Sequence, residues 1–166
     1  MGTRRRLLLL GAAAPALFAG CGFKLRHTPE LPFRTIALSG FQARSPLAEE
    51  LRRTIDASPN TKVVDTLTQA QVVLEGMVDA RERSVVASTA SGEVRELQIR
   101  TRLQFRLHTP AGRELIAPTE LVLSRDMSYA ENLALAKEQE EALLYRTMQA
   151  DIVGQVMRRL AAVKMA

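Results

Sequence analysis

Between Leu97 and Leu107 the chain alternates without a break. Leu97, Ile99, Thr101, Leu103, Phe105 and Leu107 fall on one side, and Gln98, Arg100, Arg102, Gln104 and Arg106 on the other. A period of two means a strand with one face on a core and one in water. The same period runs from Val72 to Ala80. It predicts Val72, Leu74, Gly76, Val78 and Ala80 inward, and Glu75, Asp79 and Arg81 outward. Ser91-Gly92-Glu93 supplies the turn between these two strands. Pro110-Ala111-Gly112-Arg113 turns into a third, with Leu115, Ala117, Leu121 and Leu123 on one face. Pro118, which cannot donate to a ladder, requires an edge or a bulge there. The three strands predict a long antiparallel meander.

Two stretches follow a helical period instead. Leu47, Leu51 and Ile55 recur every fourth residue behind Ser45-Pro46, an N-cap followed by proline at the first helical position. Ser58-Pro59-Asn60 ends that helix. Leu144, Met148, Ile152, Val156 and Leu160 repeat in the same way, widened by Tyr145, Val153 and Met157. Ser128-Tyr129-Ala130-Glu131 fits a capping box at the start of this second helix, which runs to about Leu160. Arg34–Leu38 and Lys62–Val64 read as short strands. The predicted fold is α+β, a two-layer sandwich. A mostly antiparallel, mixed sheet of four or five strands carries two helices on one face, the C-terminal helix being long. The other sheet face stays polar.

The amino terminus has a third pattern. Arg4-Arg5-Arg6 precedes an apolar run from Leu7 to Phe18, then Ala19, Gly20 and Cys21. Basic head, apolar segment and small-residue site make a secretory signal. The run is shorter than the roughly 20 residues that span a bilayer. A cysteine at the cleavage site resembles the bacterial lipobox, although Phe18 stands where leucine is usual. The resemblance implies an S-diacylglycerol and an N-acyl chain on Cys21, hence a membrane anchor. Each buried methylene of such chains contributes about 0.8 kcal/mol. Thr3 to Leu8 also resembles a twin-arginine signal, so the export route stays open. Gly22 replaces the Asp that resembles an inner-membrane retention signal, which favours the outer membrane. The expected organisation is a lipoprotein signal over 1–20, a lipidated tether over 21–33 and one domain over 34–166.

Composition narrows the chemistry. Of the 23 Lys and Arg, three lie in the signal, leaving 20 against 18 Asp and Glu in the mature part, a net charge of +2. That small excess gives no reason to expect a nucleic-acid partner. Cys21 is the only cysteine, so no disulfide is possible within the chain. Aromatic residues make up 4% and Trp is absent, which predicts an aliphatic core. His27 and His108 are expected in exposed segments. No metal-ligand, nucleophile-elbow or phosphate-loop motif occurs, and no catalytic residue, metal or cofactor beyond the covalent lipid is predicted. Glu138, Glu140 and Glu141 read as a solvated helix face. Arg100, Arg102 and Arg106 share a strand face. They form either its ordinary wet side or a cationic surface for lipid A phosphates or a barrel lumen, since Arg pairs phosphate bidentately.

Several short motifs fall in a meaningful order. Cys21-Gly22-Phe23-Lys24-Leu25-Arg26 resembles the start of the mature LptE lipoproteins of lipopolysaccharide assembly. Ala134-Leu135-Ala136-Lys137-Glu138 resembles the start of their last helix, and Arg125-Asp126 to Tyr129 and Glu138-Gln139-Glu140 extend the match. The resemblance covers the mature chain and implies a non-catalytic lipoprotein of the outer membrane, facing the periplasm. It implies that the protein sits in the lumen of the β-barrel LptD, aids its assembly and contacts lipopolysaccharide. Lys137 matches the lysine associated with that contact; otherwise it is a helix-surface lysine pairing with Glu141. The family's other basic contact lies at a hairpin tip. Here the tip reads Ser88-Thr89-Ala90-Ser91-Gly92 without arginine, and Arg95 is the residue placed to substitute. The competing class is a lipid-anchored periplasmic accessory subunit of another envelope transport system.

Overall fold

A computed structural model describes residues 29–165. The elements are β1 (Thr35–Ser39), α1 (Pro46–Asp56), β2 (Lys62–Val64), β3 (Val72–Ser88), β4 (Val94–His108), β5 (Glu114–Ser128) and α2 (Ala134–Ala161). Short 3₁₀ turns lie at Leu67–Gln69 and Glu131–Leu133. The sheet order is β2-β1-β3-β4-β5. β1 is parallel to β2 and to β3, while β3, β4 and β5 are antiparallel. The mixed sheet with two helices, the second of them long, is the predicted fold.

The helices form for the reasons their sequence gives. Ser45 Oγ accepts from Ala48 N at 3.1 Å, and Leu47, Leu51 and Ile55 are buried. The stripe of α2 buries Met148, Ile152, Val156 and Leu160 completely. Its 28 residues span roughly 42 Å. The capping box is a different matter. Ser128 stays in the ladder opposite Glu96, Tyr129 N donates to Arg95 O at 2.8 Å, and no side chain caps α2. The strand pairing extends past the residues that would have formed the cap, so Ser128 Oγ is left to receive Lys137 Nζ at 3.0 Å.

β4 buries its odd positions from Leu97 to Leu107, as its period demands. β3 departs from its own. Its register with β4 shifts between Gly76 and Val78, so Met77 is an extra residue and sits 46% exposed. Beyond this bulge the parity inverts. Asp79, Arg81 and Arg83 stand opposite the buried Leu103, Thr101 and Ile99, on the helix side, while Val78 and Ala80 turn to the outer face. The bulge is set by packing upstream: Gly40, at φ 74°, approaches so closely that a Cβ there would lie 2.3 Å from Gly76 O, and the Phe41 ring covers Gly76. β5 carries a similar break. Ile116, not Leu115, lies opposite Leu107, and Thr119 lies opposite Phe105. Ala117 and Pro118 fall in the break on an edge strand, where proline removes no ladder bond.

Two apolar clusters result. The larger gathers Leu31, Phe33, Ile36, Leu51, Phe105, Ile152 and Leu160 among others. Leu31 and Phe33 belong to the expected tether, but they are 6% and 3% exposed. Thr61 Oγ1 fixes Phe33 O at 2.6 Å, so the folded domain begins before residue 34. The smaller cluster holds Leu97, Ile99, Met127, Tyr145 and Met148. Where they meet, a polar layer crosses the sandwich. Gln149 Oε1 accepts from Arg81 at 2.6 Å, and its Nε2 donates to Pro46 O at 3.2 Å and to Glu50. Ser45 Oγ donates to the Asp79 carboxylate, and the Arg81 guanidinium lies 5.2 Å from the Tyr145 ring centre.

Candidate functional site

The chain direction in each element defines two ends. The β3–β4 turn, the end of β5 and the start of α2 meet at one of them, the distal end. The turn closes through Thr89 N to Glu93 O at 2.8 Å and Gly92 N to Thr89 O at 3.0 Å, with Gly92 at φ 86°. An open cleft of about 810 Å³ lies beside it, with Gly92 to Arg95 on one wall and Tyr129 to Asn132 on the other. Arg95 lies on the wall of this cleft beside the turn. It pairs with Glu93 at 3.1 Å and is exposed.

Lys137 stands at the same end, in the first turn of α2. Its side chain is only 15% exposed, and its Nζ donates to Ser128 Oγ at 3.0 Å and to Glu140 at 2.8 Å. The partner is Glu140, three residues on, and not Glu141. Glu141 turns the other way and meets Arg83 at 3.4 Å. A single step along α2 therefore separates a cation-binding carboxylate at the sheet edge from one over β3.

Arg100, Arg102 and Arg106 lie together on the outer sheet face, each with a carboxylate. Glu82 takes Arg100 at 3.8 Å and Arg102 at 3.6 Å, and Arg102 also reaches Glu120 at 3.7 Å. Arg106 holds Glu75 at 2.6 Å, and His108 Nε2 lies 3.3 Å from the same carboxylate. The Arg106 hydrogen bond, helped by the charges of Arg106 and His108, holds the Glu75 carboxyl below its ordinary value against a smaller opposing effect of burial. His108 is thus not an exposed loop residue. It ends β4, 22% exposed, with Nδ1 beside Thr109 O at 2.8 Å. The face is polar but locally neutral, its ion pairs running across neighbouring strands.

The polar layer around Gln149 was missed by sequence reasoning. The signal was present, since position 149 lies four residues from both Tyr145 and Val153 and so interrupts the apolar stripe of α2. Burial pushes the Tyr145 phenol above its ordinary pKa, with Glu141 adding to the effect, and its hydroxyl donates to Glu82 O at 2.8 Å. Among the described residues no cluster of His, Cys, Asp and Glu suits a metal, and no helix is long and apolar enough to cross a membrane. Cys21 and His27 lie outside the described residues.

The profile of the lipopolysaccharide-assembly family LptE matches residues 33–160. The chain belongs to the LptE family. It is 29% identical to the LPS-assembly lipoprotein LptE of Pectobacterium atrosepticum over 96% of this chain and 88% of that one. It is 28% identical to the Yersinia enterocolitica protein of the same name, over 98% and 78%. Among solved structures, lipoprotein B of Nitrosomonas europaea superposes with a TM-score of 0.71 at 31% identity, covering 85% of this chain and 91% of that one. The rare lipoprotein B of Shewanella oneidensis gives 0.64 at 26% identity, covering 78% and 95%. Membership of LptE makes this chain a lipoprotein of lipopolysaccharide assembly. The aligned stretch with the Pectobacterium protein leaves too few residues outside it to omit the Cys21 region.

Proposed function

We propose that the chain is a non-catalytic lipoprotein anchored to the outer membrane through acylated Cys21, and that it works with the barrel LptD to place lipopolysaccharide at the cell surface. The observation that carries this reading is the distal end, where Arg95 lines an open cleft and Lys137, held by Ser128 and Glu140, stands in the nearby first turn of α2. An anionic glycolipid needs such an arrangement: donors for phosphate beside a trough open enough for a bulky head. Lys137 is the principal contact and Arg95 supplies the charge that the hairpin tip lacks. Arg100, Arg102 and Arg106 serve a different purpose in this reading. A sheet face whose charges are already paired suits the polar interior of a barrel, where unpaired charge would have to be matched group by group. The domain is thereby a plug that also helps the barrel assemble.

The deciding experiment is recovery of partners with a tagged copy in mild detergent. A large β-barrel of LptD type should co-purify in stoichiometric amount. Recovery of a different transport subunit in its place would transfer the protein to the accessory-subunit class.

A further inference from the structure

The end opposite the cleft has a charge pattern that lipopolysaccharide contact does not use. Chain direction brings the start of β1, the start of β2 and the C-terminal turns of α1 and α2 to this proximal end. Arg34, Arg53, Lys62, Arg158, Arg159 and Lys164 lie there. Among the described residues none has a carboxylate within ion-pair distance, in contrast to the arginines of the sheet face. Lys62 Nζ donates to the Asp56 carbonyl at 2.9 Å, and Arg159, whose Nη1 is buried without a hydrogen-bond partner, adds its charge to the field without direct contact through that atom. Of the carboxylates at this end, Asp56 is engaged by Val63 N at 2.9 Å and Asp65 pairs with Arg52 at 3.2 Å, while the exposed Glu30 and Glu114 offset only part of the charge of the six cations. The remaining unpaired cations outside this end, such as Arg44 and Arg146, are scattered. A mature chain of net charge +2 therefore concentrates its uncompensated positive charge at one pole.

That pole is where the chain leaves for its anchor. Pro29 O accepts from Ser58 Oγ at 3.4 Å, and Leu31 and Phe33 are buried just beyond. Eight residues lead from Cys21 to Pro29, so the pole lies within roughly 29 Å of the bilayer surface even at full extension. Those residues include Lys24 and Arg26 and no acid. We propose that the proximal end is a docking surface for anionic phospholipid headgroups of the leaflet that holds the acyl chains. This rests on the acylation of Cys21 proposed above. The cations act together as a diffuse field, since a basic cluster gains attraction with each residue brought to an anionic surface and loses it within a Debye length. The anchor supplies proximity, and the charged pole supplies orientation, pointing the cleft away from that leaflet.

A plainer role for some of these residues is to complement the helix dipoles, because Arg53, Arg158 and Arg159 occupy last turns. The two roles separate in one experiment. The acylated mature chain is placed in vesicles of phosphatidylethanolamine alone, or with added phosphatidylglycerol, and amide hydrogen exchange is followed. Residues 53–60 and 158–165 should exchange about threefold more slowly with the anionic lipid, and residues 89–95 equally in both. The difference should vanish in Arg158→Gln/Arg159→Gln/Lys164→Gln. If that triple variant fails to fold, Arg34→Gln/Lys164→Gln, neither of which lies within a helix, should reduce it. Equal exchange in both vesicles, with the triple variant lowering only the melting temperature, would overturn docking and leave the dipole role. Flotation with neutral vesicles reports the anchor separately. A chain that does not float has no anchor. It must then sediment with phosphatidylglycerol vesicles at low salt if the pole binds them, and failure to do so overturns docking as well.

Discussion

At the scale of single residues, charge partners decide what a cation is free to do. Lys137 is bound to Glu140 and Ser128 in the unliganded protein, so a phosphate must displace a carboxylate to reach it. Lys137→Asp should therefore weaken lipopolysaccharide binding about tenfold, a charged hydrogen bond contributing 1.5–3 kcal/mol. Glu140→Gln should strengthen it by freeing the ammonium. Affinity measured at low and moderate salt, after circular dichroism has shown α2 intact, tests both; an unchanged affinity in the two variants returns Lys137 to an ordinary surface role. Glu75 gives a pH signature. Its folded-state pKa lies below the ordinary 4.5, so its contribution is present above that value and is lost as pH falls through the folded-state pKa. Glu75→Gln should lower the melting temperature by a few degrees at neutral pH, and the gap to wild type should narrow as the pH is taken progressively below 4.5. A gap that widens on acidification would contradict the Arg106–Glu75 assignment. The places of Lys137 in the first turn of α2 and of Arg95 just past the β3–β4 turn were legible because a motif and a turn fixed their positions. Their partners were not, since the choice between Glu140 and Glu141 depends on how α2 is rotated against the sheet.

At the scale of elements, periodicity was a faithful guide wherever nothing interrupted the ladder. β4 and the stripes of both helices needed only their own spacing. β3 and β5 are each interrupted by register shifts that break period two, and the first shift in β3, at Met77, is announced locally only by the glycine at position 76. The cause lies in β1 and the residues after it, where Gly40 and Phe41 crowd Gly76. Only long-range packing therefore reveals that Asp79, Arg81 and Arg83 face the helices. Deleting Met77 should restore strict alternation and turn those three charges to the outer face. The contacts of Asp79 with Ser45, Arg81 with Gln149 and Arg83 with Glu141 would be lost together. Leaving Gln149 buried without Arg81 alone costs about 1–3 kcal/mol, so the deletion should lower the urea midpoint severely or prevent folding. A midpoint equal to wild type would show that the bulge is dispensable. The missed cap at Ser128 has the same origin: a capping box predicts a helix start only where the preceding strand has released its residues.

At the scale of the whole molecule, the two ends differ in how firmly they are built. The larger cluster lies where all five strands and both helices overlap, whereas the smaller rests on β4, β5 and α2 alone. β1 pairs with β3 only as far as Glu75, so the distal half of β3 has a free edge, protected by little more than the Tyr145 and Gln42 side chains on its carbonyls. Few buried apolar contacts and an unpaired edge mark a unit that opens below the global unfolding free energy. In the free protein, cleavage by a nonspecific protease should therefore begin at Thr89–Glu93, and amides from Ser84 to Leu97 should exchange before those of Val72 to Glu75. A partner whose wall surrounds the domain would pair or cover that edge. In the LptD complex the same segment should resist protease and its exchange should slow, more than at any proximal site. Identical cleavage with and without LptD would remove the plug reading while leaving family membership intact. Protection confined to the proximal end would reverse the polarity argued from the charges, placing the barrel where the leaflet is expected.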